Sequence, residues 1–218
     1  MRKVNRKYFT ASVLSLAAFG LWTAAVCLID VQPIGPQASE VGFATMNSFV
    51  HDLTGVHMGL YTITDWLGLV PVAFAFGFGL LGLIQWIKGK SIGKVDFSIL
   101  ILGGFYIVVF GAYLLFEMYP VNFRPVLIEG FLEASYPSST TLLVLCVIPT
   151  AMMQFSNRIT KRKFRYWILG SLAVFTVFMV VGRLISGVHW LSDIIGGILL
   201  SLGLVLMYQA IISASIPS

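Results

Sequence analysis

The chain has 218 residues, of which 58% are hydrophobic and 11% charged, with a formal net charge of +5. A soluble domain carries about 25% charged residues. No soluble fold of this length could hide so much apolar surface, so the bilayer must be the solvent for most of the chain. The pI near 9.3 does not point to nucleic acid, because the basic residues sit in short runs between apolar spans.

The start, MRKVNRK before an apolar stretch, resembles a signal peptide. The apolar run is long and no cleavage site stands near Ala24-Ala25, so it reads as an uncleaved first helix, about Phe9–Leu28. Val31 to Asp65 is different in kind. Pro33, Gly35 and Pro36 mark a loop, and apolar residues then recur at mixed helical spacing from Val41 to Leu60. That pattern predicts an amphipathic helix or a broken pair lying along the outer interface. Five more apolar segments follow, at Trp66–Ile87, Phe97–Phe116, Thr140–Met153, Tyr166–Ile185 and Ile194–Ile212. Each is close to the roughly 20 residues that cross a bilayer, although the fourth is short. The expectation is an all-α, single-domain membrane protein with six spans and an interfacial helical segment after the first. Cys27 and Cys146 lie inside apolar runs and read as small core residues, not a disulfide.

Lys and Arg set the orientation. Arg2, Lys3, Arg6 and Lys7 precede the first span, and Lys88, Lys90 and Lys94 lie between the second and third. Arg158, Lys161, Arg162, Lys163 and Arg165 lie between the fourth and fifth. With six alternating spans all of these share one side, which is therefore cytoplasmic, as are both termini. Tyr61, Trp66, Trp86, Tyr119, Tyr166, Trp167 and Trp190 sit near span ends and read as interfacial anchors. Only Arg124 and Arg183 fall on the outer side. Either they make structural ion pairs with Glu117, Glu129 or Asp193, or they hold an anionic ligand.

Three outer stretches carry candidate chemistry. In the third, Arg183, His189 and Asp193 are spaced by six and then four residues. A helix would put His189 and Asp193 on one face, where the carboxylate can fix the imidazole tautomer and leave the other nitrogen as nucleophile or base. The alternative is a His–Asp pair that caps the sixth span. The planar fork of Arg183 suits a phosphate. Ser138 and Ser139 follow Pro137 at the start of the fourth span. A helix start offers free N–H groups to an anion, and serine there is also an ordinary N-cap.

These residues resemble the type-2 phosphatidic acid phosphatase and vanadium haloperoxidase superfamily. Arg124-Pro125 matches the end of its first motif and Pro137-Ser138 the start of its second. Arg183, His189 and Asp193 match the third at the family's spacing. The resemblance implies a phosphatase acting on a lipid phosphate or an isoprenoid diphosphate at the outer face, with no metal or cofactor. His189 would attack phosphorus to form a phosphohistidine, and Asp193 would orient it. Arg124, Arg183 and the Ser138, Ser139 and Thr140 region would hold the phosphoryl oxygens, and water would release phosphate.

The chain departs from the pattern at four positions. Glu117 stands at the family's lysine, Thr140 at its second-motif histidine, Gly182 at a serine and Ser139 at a glycine. The missing histidine is the family's general acid for the leaving group, a role worth about 10²–10⁴-fold. Three accounts fit. The leaving group is itself a phosphate; or Glu117, His51, His57, Glu129 or Glu133 supplies the proton; or the chain only binds or transports lipid phosphates.

Overall fold

The computed structural model describes residues 3–215, so Arg2 lies outside the described residues. Eight α-helices account for most of them: α1 (Lys3–Leu28), α2 (Ala44–Thr54), α3 (Met58–Leu67), α4 (Leu69–Gly89), α5 (Phe97–Met118), α6 (Ser139–Arg158), α7 (Arg162–Ile185) and α8 (Leu191–Ser215). Among the described residues there is no strand, only three isolated β-bridges. Among the described residues six helices are long and apolar enough to cross a membrane, α3 and α4 counting as one run from Met58 to Gly89. The chain is a multi-pass membrane protein.

That joined run differs from the expected span. At about 1.5 Å rise per residue, its 32 residues reach about 48 Å, well beyond a hydrocarbon core of about 30 Å. The helical run starts at Met58 rather than Trp66 and is longer than a straight crossing needs. Gly68 joins the two pieces, its N–H donating to the carbonyls of both Thr64 and Asp65 at 3.1 and 3.0 Å.

Small residues and hydroxyls set the packing, as expected where lipid removes the hydrophobic drive between helices. In the α1–α8 pair, Ser12 Oγ donates to the Gly203 carbonyl at 2.7 Å and Ser15 Oγ to that of Leu199 at 3.0 Å. A Cβ at Gly203 would lie 2.6 Å from Leu16 Cδ2, so only glycine permits this approach. Cys146 is buried on α6, whereas Cys27 is exposed and not a core residue, because its face of α1 points outward.

The segment after α1 folds back over the end of the bundle. Gly42 touches the last turns of α1, where a Cβ would meet the Val26 carbonyl. Asn47 on α2 ties that cap to α8: its Nδ2 donates to Gly42 O (2.8 Å) and Ser192 Oγ (2.9 Å), and its Oδ1 accepts from Ser192 N (3.1 Å). The opposite end carries the basic runs, where Arg158 pairs with Asp96 at 2.8 Å.

Candidate active site

The three motif stretches meet at the end of the bundle covered by α2 and α3. Arg183 comes from the last turn of α7, and His189 from the short connection to α8. Arg124 comes from the loop between α5 and α6. That loop folds as a small hairpin, with bridges Phe123–Ala134 and Ile128–Phe131 around the tight turn at Glu129 and Gly130.

His189 is 3% exposed and receives both guanidinium groups. Arg124 Nη1 lies 3.4 Å and Arg183 Nη2 3.5 Å from His189 Nε2. A guanidinium can only donate, so Nε2 is the acceptor and the ring proton belongs on Nδ1. Burial, and then the charges of Arg124 and Arg183, hold the imidazole pKa well below its ordinary value. The ring is therefore neutral, with its lone pair directed into the space between two cations. That is the state a nitrogen nucleophile requires.

Asp193 does not share a helix face with His189, because α8 begins at Leu191. Its Oδ2 stands 3.8 Å from His189 Nδ1, beyond hydrogen-bond range. Other donors occupy the carboxylate: Trp190 N at 3.0 Å, Asn122 Nδ2 at 3.2 Å and Ser192 Oγ at 3.4 Å. The bond to Trp190 N is the reciprocal half of a capping box. Asp193 thus caps α8, and its carboxylate stands behind Nδ1 without a hydrogen bond to it. Asn122 was not singled out in the sequence. Nothing in a Val-Asn-Phe stretch shows that its amide will reach a carboxylate 71 residues away.

The ion pairs differ from those expected. Arg124 Nε pairs with Glu133 at 3.0 Å, and Arg183 Nη1 with Asp65 at 3.5 Å. Glu117 is exposed at the end of α5 and makes no ion pair among the described residues. Tyr61 is not an interfacial anchor. Its ring lies 5.0 Å from Arg183 Cζ and 5.9 Å from Arg124 Cζ, within cation–π range of both. Nor is Trp190 an anchor: it is 3% exposed and donates from Nε1 to Phe123 O at 2.8 Å.

Ser138 is buried and already engaged. Its amide donates to the Asp193 carbonyl at 3.1 Å, and its Oγ accepts from Thr141 Oγ1 at 3.0 Å. Ser139 and Thr140 open α6, so their amides have no partner within the helix. Gly182 has a packing reason: a Cβ there would meet Thr64 Cγ2 at 2.9 Å, so α3 fills the space a larger side chain would take. His51 packs on Trp190 with ring centroids 5.4 Å apart, and His57 Nε2 lies 2.9 Å from Thr54 O.

Fold and site together define a multi-pass membrane protein with a buried arginine–histidine centre at one end of the bundle. Residues 74–216 match the PAP2 superfamily, and the chain belongs to that family, which classes it with membrane phosphatases that hydrolyse phosphoric esters. A crystal structure of a transmembrane PAP2-type phosphatidylglycerolphosphate phosphatase from Bacillus subtilis has the same fold. Its TM-score is 0.53 at 18% identity, over 95% of this chain and 98% of that one. No curated protein matches the sequence.

Proposed function

We propose that the protein hydrolyses a lipid phosphate or an isoprenoid diphosphate at the extracytoplasmic face, through a phosphohistidine on His189. One observation carries the reading: two buried guanidinium groups converge on Nε2 of a buried, neutral histidine. Cations are not placed around a lone pair to stabilise the empty site. They suit a phosphoryl group that sits between them, with its oxygens on the arginines and its phosphorus against Nε2. The half-exposed carboxylates of Glu133 and Asp65 hold the arginines until the substrate displaces them.

In the first step Nε2 bonds to phosphorus as the bond to the leaving oxygen breaks. Positive charge on the ring is met by Asp193 behind Nδ1. Arg124, Arg183 and the Ser139 and Thr140 amides hold the phosphoryl oxygens. Water then attacks phosphorus, the P–N bond breaks and phosphate leaves. The Bacillus subtilis protein of the same fold acts on a lipid phosphate, which favours that substrate class here. The distribution of Lys and Arg supports the outer placement of the site and cytoplasmic termini.

Thr140 at the family's histidine position favours a second reading, a homologue that binds or transports lipid phosphates without turnover. Assaying wild type and His189→Ala for phosphate release from a panel of lipid mono- and diphosphates separates the two. The phosphatase reading expects release by wild type that the variant lacks. Equal inactivity on every substrate sinks it.

A further inference from the structure

α3 precedes the residues matched to the family, yet three of its side chains reach the arginine–histidine centre. Tyr61 lies against both guanidinium groups, Thr64 Oγ1 is 3.4 Å from Arg183 Nη1, and Asp65 Oδ1 is 3.5 Å from the same nitrogen. Arg183 is 1% exposed and Asp65 56%, so the carboxylate stands at the mouth of the site and not in its floor.

Asp65 also lines a cavity of about 520 Å³ with Ser139 and Thr140. The other walls are mostly apolar, among them Val72, Phe110 and Leu143. Val72 and Phe110 are 47% and 60% exposed on helices apolar enough to cross a membrane, so the cavity is open along an apolar surface. A phosphate ester with its phosphorus against His189 Nε2 has its leaving oxygen in line, on the far side of phosphorus from the ring. The chain carried by that oxygen suits the apolar cavity. Among the described residues Asp65 is the only carboxylate lining it.

We propose that Asp65 is the proton donor to the leaving oxygen, in the role that the resemblance gives to the residue replaced by Thr140. The proposal rests on the phosphatase reading above. The phosphoryl oxygens take over the Arg183 Nη groups, and the displaced Asp65 carboxylate receives the proton that a monoanionic phosphate ester brings with it. As the N–P bond forms and the ester P–O bond breaks, the electron pair goes to the leaving oxygen. The Asp65 carboxyl proton goes with it, giving the free alcohol. In the second step the Asp65 carboxylate takes a proton from the attacking water, the new O–P bond forms, and the P–N pair returns to Nε2.

The other carboxylates are placed less well. Glu133 pairs with Arg124 through Nε, the nitrogen that does not face His189. Glu117 lines an adjoining cleft of only about 10 Å³ that shares Tyr113, Ser139 and Leu142 with the cavity that Asp65 lines, and it makes no ion pair with either arginine.

The test uses the full chain and two monoesters, the phosphate monoester of a lipid alcohol and an aryl phosphate whose nitrophenolate leaves without a proton. Asp65→Asn is expected to lower kcat/KM on the lipid ester by about 100-fold or more, and on the aryl ester by less than about 5-fold. Asp65→Glu is expected to restore part of the lipid activity. Equal loss on both esters assigns Asp65 to holding Arg183 and overturns the proposal, as does no loss on either. Wild-type turnover confined to diphosphates overturns it as well, because no alkoxide then leaves. If wild type releases nothing, or His189→Ala keeps wild-type rates on both esters, the phosphatase reading itself fails and this inference falls with it.

Discussion

At Nε2 of His189 two cations face a neutral ring, and this sets its proton affinity. Burial disfavours the imidazolium, and Arg124 and Arg183 disfavour it further. Protonation would remove the nucleophile, so the acid limb of kcat/KM should lie well below the ordinary histidine value of 6.5. Arg124→Gln removes one cation, which favours the imidazolium and should move that limb toward higher pH. A profile of wild type against the variant on one substrate checks the sign; a limb that stays fixed contradicts it. Arg183→Lys tests the fork itself. Lysine keeps the charge but cannot span two phosphoryl oxygens from a fixed plane. A charge-assisted bond is worth about 1.5–3 kcal/mol, so kcat/KM should fall roughly 10- to 100-fold, with thermal stability little changed.

These residues were legible to different degrees. Arg124 and Arg183 stood out as exceptions to the positive-inside pattern, and His189 and Asp193 through their spacing from Arg183. The partners that hold them were not legible. Asp65 sits in a run that also fits an interfacial helix, and no local pattern shows that its carboxylate turns toward Arg183. Glu133 is one of several outer carboxylates that could supply a proton, and nothing in its local sequence shows that it pairs with Arg124. The His189–Asp193 spacing suggests a shared helix face only if the helix has already begun. The start of α8 at Leu191 depends on capping by Asp193 itself.

At the scale of elements, α2 and α3 form the roof of the site, and two contacts fix the connection between them. His57 N donates to Ser186 O at 2.9 Å, joining α3 to the end of α7. Beside it, Gly187 has φ +68°, and a Cβ there would lie 1.9 Å from Gly55 O. Gly187→Ala should therefore cost more than the about 1–2 kcal/mol of a left-handed alanine, since the backbone of the α2–α3 connection must also move. A lowered melting temperature in detergent, with activity lost in parallel, is the expected outcome. Asn47→Ala strips two hydrogen bonds from the α2–α8 contact and a third to Gly42, and leaves the buried Ser192 N–H unpaired. The cost should be about 1–3 kcal/mol, read as a melting shift of several degrees. The amphipathic character of 31–65 was visible in its spacing. Its division into α2 and the start of α3 was not, because the break falls at Gly55 through contacts with Gly187.

The whole molecule divides its charge by end. The basic runs near α1, α4 and α6–α7 lie opposite the site, and this asymmetry was legible from the sequence because membrane insertion reads it directly. It supports the proposed placement of the site on the outer face. With Cys27 replaced by Ser, a cysteine introduced at Glu129 should react with an impermeant thiol reagent on intact cells. One introduced at Lys161 should react only after the membrane is opened. The reverse pattern would turn the molecule over and put its chemistry in the cytoplasm.

The covalent step is the most exposed part of the account. Wild-type protein mixed with a radiolabelled lipid phosphate and quenched within milliseconds should carry acid-labile, base-stable label. Peptide mapping should place that label on His189, and His189→Ala should carry none. Phosphate release at full rate with no label on His189 would contradict the mechanism at its centre.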